Sequence, residues 1–280
     1  MLIKFWGVRG SVPSPGGETA RYGGNTACLS VEIDGKILVL DAGSGIRDLG
    51  LTLLDGQHEI FILLTHLHTD HILGFPFFAP LHQPGRNIHL LDYDRNGARW
   101  SLLNLIDGIH FPLCVSDLVS SPINIEGDVL GYLGALGFNI RRMDVNHPGG
   151  AYGYRIEQAG RVLVHIPDNE IDPPGVKTTP YDVLVAFCSG ADVLVHDAQY
   201  LRTEMPAKWG WGHSVVNRVC DLAVSAGVKE LILFHHDPAR KDKEVDQIQS
   251  YARSLLKPKG IACRAAYEGL RIDLNGDGSG

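Results

Sequence analysis

The sequence predicts an α/β fold in which mixed β-sheets carry helices on their outer faces. Short apolar and alternating runs recur along the chain, and the first of them lie close together, as in hairpins or meanders. Later runs are separated by helical patterns, which indicates strand–helix–strand units. Adjacent strands followed by such units fit a mixed sheet better than an all-parallel one. No repeat or Pro/Ser-rich linker divides the 280 residues, so we expect one domain over residues 1–274 and a flexible polar tail over residues 275–280.

The predicted strands are apolar or alternating runs bounded by turn-forming residues. They are Leu2–Val8, Ala27–Ile33, Lys36–Leu40, Ile60–Leu64, Asn87–Leu91, Ile123–Glu126, Phe138–Val145, Tyr152–Glu157, Arg161–Ile166, Asp192–Val195, Glu230–Phe234 and Ala265–Ile272. The helical patterns lie between some of these strands. They are near Ile46–Asp55, Gly97–Ile109, Pro180–Cys188, Ser214–Ala226 and Lys243–Leu256. The pattern from Ser214 is the clearest, because its apolar residues form one stripe and Gly227 ends it.

Composition excludes several classes of protein. Twenty-five basic and 32 acidic residues give a net charge of −7, so a uniformly basic nucleic-acid surface is absent. Metal ions can nevertheless supply the local positive charge that a phosphate substrate needs. The five cysteines are scattered and never in C-x-x-C spacing, and most lie in apolar surroundings, which indicates buried thiols. Without a signal-peptide core or an apolar run of membrane-spanning length, the expected location is the cytoplasm.

Two segments look like binding motifs and are better explained otherwise. Residues 7–24 are rich in glycine but lack the G-K-[ST] of a phosphate-binding loop. The tail DLNGDGSG copies the start of a calcium loop, yet the distal glutamate is missing.

The stretch LLTHLHTDHILGF, residues 63–75, carries the chemistry. Its three histidines and one aspartate follow an apolar run that reads as a buried strand. His66 and His68 are two residues apart and can point the same way, whereas Asp70 and His71 can point elsewhere. Imidazole and carboxylate together suit zinc, manganese or iron, so one loop can serve two adjacent cations. The alternative is a polar surface loop without a ligand.

This stretch resembles the H-x-H-x-D-H signature of the metallo-β-lactamase superfamily. The resemblance extends through VLDAGSG at 39–45, NHPGG at 146–150, HIPDNE at 165–170, HDAQY at 196–200, GHS at 212–214 and LILFHHDP at 231–238. It implies a four-layer αβ/βα sandwich of two mixed sheets, with a dinuclear metal site at one edge. Zinc is the expected metal, and manganese and iron remain alternatives.

The resemblance also implies a role for each matching residue. The first metal would be held by His66, His68 and His147, and the second by Asp70, His71 and His235, with Asp168 bridging the two. His235 is chosen over the adjacent His236 because only one of two successive side chains faces the metals. His236 would then line the rim. Asp41 would accept a hydrogen bond from a ligand histidine and fix its tautomer.

Residues farther along the chain favour phosphodiester hydrolysis over C–N, thioester or redox chemistry. His213 precedes the predicted Ser214 helix, where a phosphate meets backbone N–H groups. The helix dipole opposes protonation of His213, so an acidic partner is needed, and Asp197 is the candidate. The pairing resembles the phosphodiesterase and tRNA-processing branch of the superfamily. Asp70, His213 and Asp197 are therefore the expected catalytic residues.

The chain is acidic, and residues 72–145 contain no long Gly/Lys/Arg-rich arm. We therefore expect a small nucleotide or cyclic-nucleotide phosphodiester as the substrate, with no membrane partner and no extended nucleic-acid surface. The alternatives are a tRNA 3′-end endonuclease and a lactonase or thioesterase. The resemblance leaves the oligomeric state open between a monomer and a homodimer, since relatives often dimerise. Arg9, Ser11 and Asn25 are candidates for the pocket rim, or else they only shape turns. Trp209 and Trp211 either stack on a base or pack at the start of a helix.

Overall fold

The structure, a computed structural model, describes residues 1–95 and 98–275. The chain forms two compact units. The first contains Met1–Pro13, Asn25–Leu136 and the chain from Tyr267 onward, and the second contains Ser14–Gly24 and Gly137–Ala266. The predicted single domain over residues 1–274 stays a prediction, and most of the predicted tail lies outside the described residues.

Strands and helices alternate along the described part of the chain. Its strands are β1 (Leu2–Gly7), β2 (Cys28–Ile33), β3 (Lys36–Leu40), β4 (Glu59–Leu63), β5 (Asn87–Leu91), β6 (Tyr93–Arg95), β7 (Ala98–Trp100), β8 (Ile123–Ile125), β9 (Asn139–Val145), β10 (Ala151–Gln158), β11 (Arg161–Ile166), β12 (Val193–Asp197), β13 (Glu230–Phe234), β14 (Ala262–Ala265) and β15 (Arg271–Asp273). Its α-helices are α1 (Ile46–Thr52), α2 (Thr69–Ile72), α3 (Val129–Ala135), α4 (Tyr181–Cys188), α5 (Val216–Ala226) and α6 (Asp242–Leu256).

Each unit contains one mixed sheet. The sheet of the first unit has the order β15-β1-β2-β3-β4-β5-β8, in which β3, β4, β5 and β8 run parallel and the remaining pairs are antiparallel. The sheet of the second unit has the order β14-β13-β12-β11-β10-β9, parallel from β14 to β11 and antiparallel beyond. This confirms the predicted mixed α/β character.

The parallel strands are nearly continuous apolar runs because both of their faces are buried. Side chains of β11 to β13 form a core with α4, α5 and α6, with Leu194, Leu222 and Leu233 among its fully buried members. The amphipathic pattern of α5 is therefore explained, since its apolar stripe packs into this core.

Two elements differ from the prediction. The helix expected near Gly97–Ile109 is absent from the described residues of that range, which form β7 and a 3-10 turn at Leu102–Leu105; Gly97 lies outside them. Side-chain caps stabilise turns there: Leu103 N donates to Ser101 Oγ, and the Asp107 carboxylate accepts from Ile109 N.

The strand expected over Ala265–Ile272 is divided at Gly269. Its first residue, Ala265, ends β14 of one sheet, and its last two residues lie in β15 of the other. Gly269 takes a φ of +87° between them. The helices α2 and α3 and the β6–β7 hairpin were not predicted. Each is short, so periodicity gives little signal for it.

The order of the parallel strands positions the functional side chains. The carboxyl ends of neighbouring parallel strands lie at the same edge of a sheet, where α/β proteins bind ligands. In the first unit, Asp41 follows β3 and Thr65 follows the adjacent β4. In the second unit, Asp168, Asp197 and His235 come at the ends of β11, β12 and β13.

None of the helices within residues 1–95 and 98–275 is both long and apolar enough to cross a membrane. The predicted absence of a membrane partner stays a prediction.

Two glycine substitutions, one at the end of a helix and one inside a helix, test the backbone conformations at these positions. Gly227 ends α5 with a φ of +61°, and no atom lies within 4 Å of an added Cβ. Gly227→Ala should lower the free energy of unfolding by about 1 kcal/mol through backbone strain alone. Gly134, inside the exposed part of α3, also has open space around it. Gly134→Ala should raise the free energy of unfolding by roughly 0.5–1 kcal/mol. Urea unfolding measures both, and equal effects would contradict this account.

Candidate metal centre

The first unit contributes a cluster organised by one buried carboxylate. Asp41 directly follows β3 and adopts a left-handed conformation, with a φ of +64°. Its Oδ1 accepts from Thr65 N at 2.7 Å, and its Oδ2 accepts from the Thr65 hydroxyl at 2.8 Å and from His71 Nδ1 at 2.9 Å. Because Nδ1 of His71 donates to Asp41, Nε2 is the nitrogen that presents a lone pair. The expected contact between Asp41 and a histidine of the signature is therefore present.

A second histidine is oriented through Thr65. The Thr65 hydroxyl donates to Asp41, so its oxygen accepts from Nδ1 of His66, which lies 3.1 Å away. Asp41 therefore fixes the tautomer of His71 directly and that of His66 through one hydroxyl group. In both rings Nε2 is the remaining donor atom for a cation.

His68, Asp70 and His71 sit around the start of α2. His68 occupies the N-cap and is exposed, whereas Asp70 and His71 are buried. Asp70 Oδ2 lies 3.5 Å from His71 Nε2 and accepts a hydrogen bond of 2.7 Å from the backbone N–H of Ser11. Ser11 has a φ of +65°, so the segment after β1 adopts a strained conformation where it contacts Asp70.

Gly43, the first glycine of VLDAGSG, permits a close approach of loops. A Cβ on Gly43 would lie 2.3 Å from the carbonyl oxygen of Asp70 and 2.6 Å from Thr26 Oγ1. A side chain at this position is excluded unless the backbone of the signature loop moves.

The second unit contributes a carboxylate surrounded by imidazoles. Asp168 is buried after β11, and each of its oxygens faces a different histidine. Oδ1 lies 3.3 Å from His235 Nε2, and Oδ2 lies 3.6 Å from His147 Nε2. The structure thus brings His235, rather than His236, against Asp168. His236 is turned away, and its Nε2 donates to the carbonyl oxygen of Ala266 at 2.8 Å.

His147 and His235 are oriented in the same way as the histidines of the first unit. Nδ1 of His147 donates to the carbonyl oxygen of Gly212 at 2.8 Å, and Nδ1 of His235 donates to Gln199 Oε1 at 3.0 Å. His235 has a φ of +59°, a conformation that histidine adopts more readily than most residues. In both residues Nε2 points at Asp168.

The predicted pairing of His213 with Asp197 is present. His213 Nδ1 donates to Asp197 Oδ2 at 2.9 Å and lies 3.8 Å from Asp168 Oδ2. The imidazole ring stacks on that of His235, with centroids 4.8 Å apart. Asp197 also accepts from the backbone N–H groups of Gln199 at 2.9 Å and Ser214 at 3.2 Å, so its carboxylate is fixed from several sides.

The residue next to Asp197 is held neutral. His196 is fully buried, and this burial lowers the pKa of its imidazole. Its Nδ1 donates to the carbonyl oxygen of Asp197 at 2.7 Å, while Asn169 Nδ2 donates to its Nε2 at 3.2 Å. His196 therefore stabilises the loop after β12 through these hydrogen bonds.

Glu170 organises the loop that leads to His213. Its carboxylate accepts from the backbone N–H groups of Gly210, at 3.0 and 3.1 Å, and Gly212, at 3.0 Å. Both glycines have positive φ values, and a Cβ on Gly212 would lie 2.3 Å from Nδ1 of His147. A buried glutamate thus fixes the loop that supplies the oxygen atom orienting His147.

Arg9 and Asn25 have structural partners. Arg9 is fully buried, and its backbone N–H donates to the carbonyl oxygen of Asn25. Asn25 Nδ2 and N donate to the two oxygens of Glu268, at 3.1 and 2.6 Å. A role at the rim for Arg9, Asn25 or His236 stays a prediction.

The donor chemistry within each unit fits divalent cations. Two ligand atoms on one tetrahedral zinc ion, each about 2.0–2.1 Å from it, lie roughly 3.3 Å apart. The separations of 3.3 and 3.6 Å at Asp168 and 3.5 Å between Asp70 and His71 are of that size. Imidazole nitrogens with fixed tautomers and carboxylate oxygens are ligands that zinc, manganese and iron share.

Sequence reasoning did not assign four groups that hold these side chains, although it named Ser11 as a candidate for the pocket rim. They are Ser11 N, the Thr65 hydroxyl, the Glu170 carboxylate and the Gln199 amide. Three of these groups belong to the motifs THLHTDH, HIPDNE and HDAQY, where they are Thr65, Glu170 and Gln199. Their position close to a candidate ligand in the sequence was the signal that could have identified them.

Comparison with known proteins places the chain in a family. A family model described as a beta-lactamase superfamily domain matches residues 37–236. The protein named Ribonuclease Z from Natronomonas pharaonis is 24% identical over 298 aligned residues, covering 88% of this chain and 92% of that protein.

Solved structures agree with this match. The metallo-β-lactamase fold protein YhfI from Bacillus subtilis superposes with a TM-score of 0.69 at 17% identity, covering 97% of this chain and 99% of that one. The short form of human tRNase Z superposes with a TM-score of 0.61 at 18% identity, covering 98% and 99%. The predicted family, its fold and the hydrolase class are confirmed: the chain belongs to the beta-lactamase superfamily and has the metallo-β-lactamase fold.

Proposed function

We propose that this chain is a phosphodiesterase that depends on two divalent metal ions. The proposal assigns ligands from both units to one pair of ions, as the family resemblance implies. The ligands are His66, His68 and His147 for the first ion, Asp70, His71 and His235 for the second, and Asp168 for both. The two oxygens of Asp168, each facing a different imidazole, support its role as the bridging ligand.

The pair formed by His213 and Asp197 carries the assignment to phosphodiesters. An anionic oxygen leaves when a phosphodiester is cleaved, and a proton donor beside it lowers the barrier. His213 lies 3.8 Å from Asp168, and its Nδ1 donates to Asp197. A lactonase or thioesterase with the same ligands would not need this pair.

Each residue of the proposed site has a separate role in phosphodiester cleavage. Bound divalent ions would polarise phosphoryl oxygens and lower the pKa of a water molecule. Asp197 holds His213 in the tautomer with hydrogen on Nδ1 and stabilises the imidazolium form. His213 Nε2 is then the atom that gives a proton to the leaving oxygen. The backbone amides of Gln199 and Ser214 keep Asp197 in place during this transfer.

The names of the relatives support an RNA substrate. Relatives named Ribonuclease Z match most of this chain, and a solved tRNase Z shares its fold. The tRNA 3′-end endonuclease, an alternative in the sequence analysis, therefore has more support than the small nucleotide that we expected first.

A small phosphodiester remains the second candidate because of one feature of the sequence. Residues 72–145 contain no lysine and no long basic arm, and the net charge is −7. Strong binding of a tRNA backbone draws on many Lys and Arg contacts.

Turnover of three substrates separates these candidates. They are a tRNA precursor with a 3′ trailer, 2′,3′- and 3′,5′-cyclic nucleotides, and bis-p-nitrophenyl phosphate. Each is assayed after metal removal and again after addition of zinc or manganese. We expect metal-dependent hydrolysis of bis-p-nitrophenyl phosphate, with the tRNA precursor cleaved most efficiently. Absence of turnover with every metal, in protein that binds two ions per chain, would refute the phosphodiesterase.

His213→Ala should lower kcat on the tRNA precursor or cyclic nucleotide that the parent protein cleaves by a factor of roughly 10²–10⁴, because the alkoxide leaving group loses its positioned proton donor. Asp197→Asn should lower it in the same direction, since the imidazolium loses its anionic partner. Metal content and the thermal unfolding transition should stay close to the parent protein. The matched control is His110→Ala, because His110 forms the same kind of pair with Asp107, at 2.6 Å, on an exposed turn. Equal kcat values for His213→Ala and His110→Ala would contradict the role of His213.

Thr65→Val tests the link between Asp41 and the ligand histidines. The loss of the hydroxyl leaves His66 Nδ1 without its oriented acceptor, so metal affinity should fall roughly 10- to 100-fold. Thr65→Ser keeps the hydroxyl and should retain near-parent affinity. Competition with a chromophoric chelator measures both, and identical affinities for the two variants would show that the hydroxyl does not orient His66.

A further inference from the structure

A cavity in the second unit is lined in part by His213, and most of its other walls have no role in the proposed chemistry. Its volume is about 420 Å³, which is within the usual range for small-ligand sites. Its lining includes His213 together with Met205, Pro206 and Trp209. A phosphate held near His213 therefore has its neighbouring group at the mouth of this cavity.

We propose that this cavity is a nucleobase subsite in which Trp209 stacks on the base next to the scissile phosphate. The inference rests on the proposed function, because that function places the phosphate beside His213. The base is the chemistry common to an RNA 3′ end and to a free nucleotide, and nothing in the stacking distinguishes them.

The chemistry of the walls suits an aromatic ring. Apolar side chains of Met205, Pro206 and Trp209 line one part of the cavity, and Asn217 adds an amide that can pair with the edge of a base. The Trp209 side chain is 56% exposed, although tryptophan is costly to leave in water. A stacked base would cover that exposed face.

The loop that carries Trp209 is already fixed in position. Trp209 N donates to the carbonyl oxygen of Pro206 at 3.0 Å, and Gly210 N donates to the buried carboxylate of Glu170. The backbone that carries the indole therefore needs little ordering when a ligand binds, which favours affinity. Trp211 differs, because Lys208 Nζ lies 4.3 Å from its ring centroid and Trp211 does not line the cavity.

One cation at the cavity is available to an anionic ligand. Arg218 is compensated by Asp172 at 2.5 Å and by Asp221 at 2.9 Å. Glu170 is engaged with the backbone amides of its loop. Among the described residues Arg202 forms no ion pair, so the rim retains one uncompensated cation that can contact a nucleotide phosphate.

Calorimetric titration of the purified protein tests the subsite without turnover. The probes are adenosine 5′-monophosphate and ribose 5-phosphate, which differ by the base. We expect the nucleotide to bind roughly tenfold more tightly, within the range for one stacked base. Trp209→Leu should abolish this difference. Trp211→Leu, which removes an equally exposed indole outside the cavity, should retain it. Equal affinities for the two probes in the parent protein, or equal losses in both variants, would overturn the subsite.

Turnover separates this inference from the proposed function. If bis-p-nitrophenyl phosphate is hydrolysed but binding does not depend on the base, the subsite fails and the phosphodiesterase stands. If binding depends on the base and Trp209 but no diester is hydrolysed, the subsite stands and the phosphodiesterase fails. If binding depends on the base and the diester is also hydrolysed, the KM of Trp209→Leu identifies the source of the base. An increase in KM confined to the tRNA precursor indicates RNA, and an increase confined to cyclic nucleotides indicates a free nucleotide.

Discussion

Buried carboxylates that face imidazoles are the interaction on which the candidate site depends in each unit. Asp41 in the first unit, and Asp168 and Asp197 in the second, are almost inaccessible to solvent. An uncompensated buried carboxylate is costly, so each must be surrounded by donors or cations. Asp41 and Asp197 meet this need with protein N–H and O–H groups. Asp168 faces imidazole Nε2 atoms, which is the arrangement expected of a metal ligand.

Backbone strain is concentrated at the same places. Five non-glycine residues in the described part of the chain have positive φ, and Asp34 and Ala159 among them stand in hairpin turns directly before a glycine. The other three, Ser11, Asp41 and His235, all contact or belong to the proposed metal ligands. Such conformations cost about 1–2 kcal/mol each and persist where surrounding contacts enforce them. The strain therefore supports a functional role for the segment after β1, where the sequence analysis left Ser11 open between a rim residue and a turn residue.

Much of the candidate site could be predicted because its residues follow strands. The signature from His66 to His71, Asp168 after β11 and His235 after β13 all stand where a strand ends, and strands are recognised by their apolar runs. The supporting groups could not be predicted in the same way. Thr65, Glu170 and Gln199 are ordinary polar residues in sequence, and only their hydrogen bonds distinguish them. The helix expected near Gly97–Ile109 failed because its apolar spacing fits a hairpin and short turns equally well.

The sequence by itself determined the family and the mixed α/β class, and it singled out the side chains that we propose as metal ligands, because ligand chemistry and strand patterning are local properties. Tertiary structure decided between His235 and His236, since the turn after β13 directs only His235 to Asp168. It also decided that Asp197 contacts His213, sixteen residues away, and that Trp209 rather than Trp211 lines the cavity. These outcomes depend on how separate strands and loops pack in the folded chain, and a local sequence pattern does not specify contacts between residues that are distant in sequence.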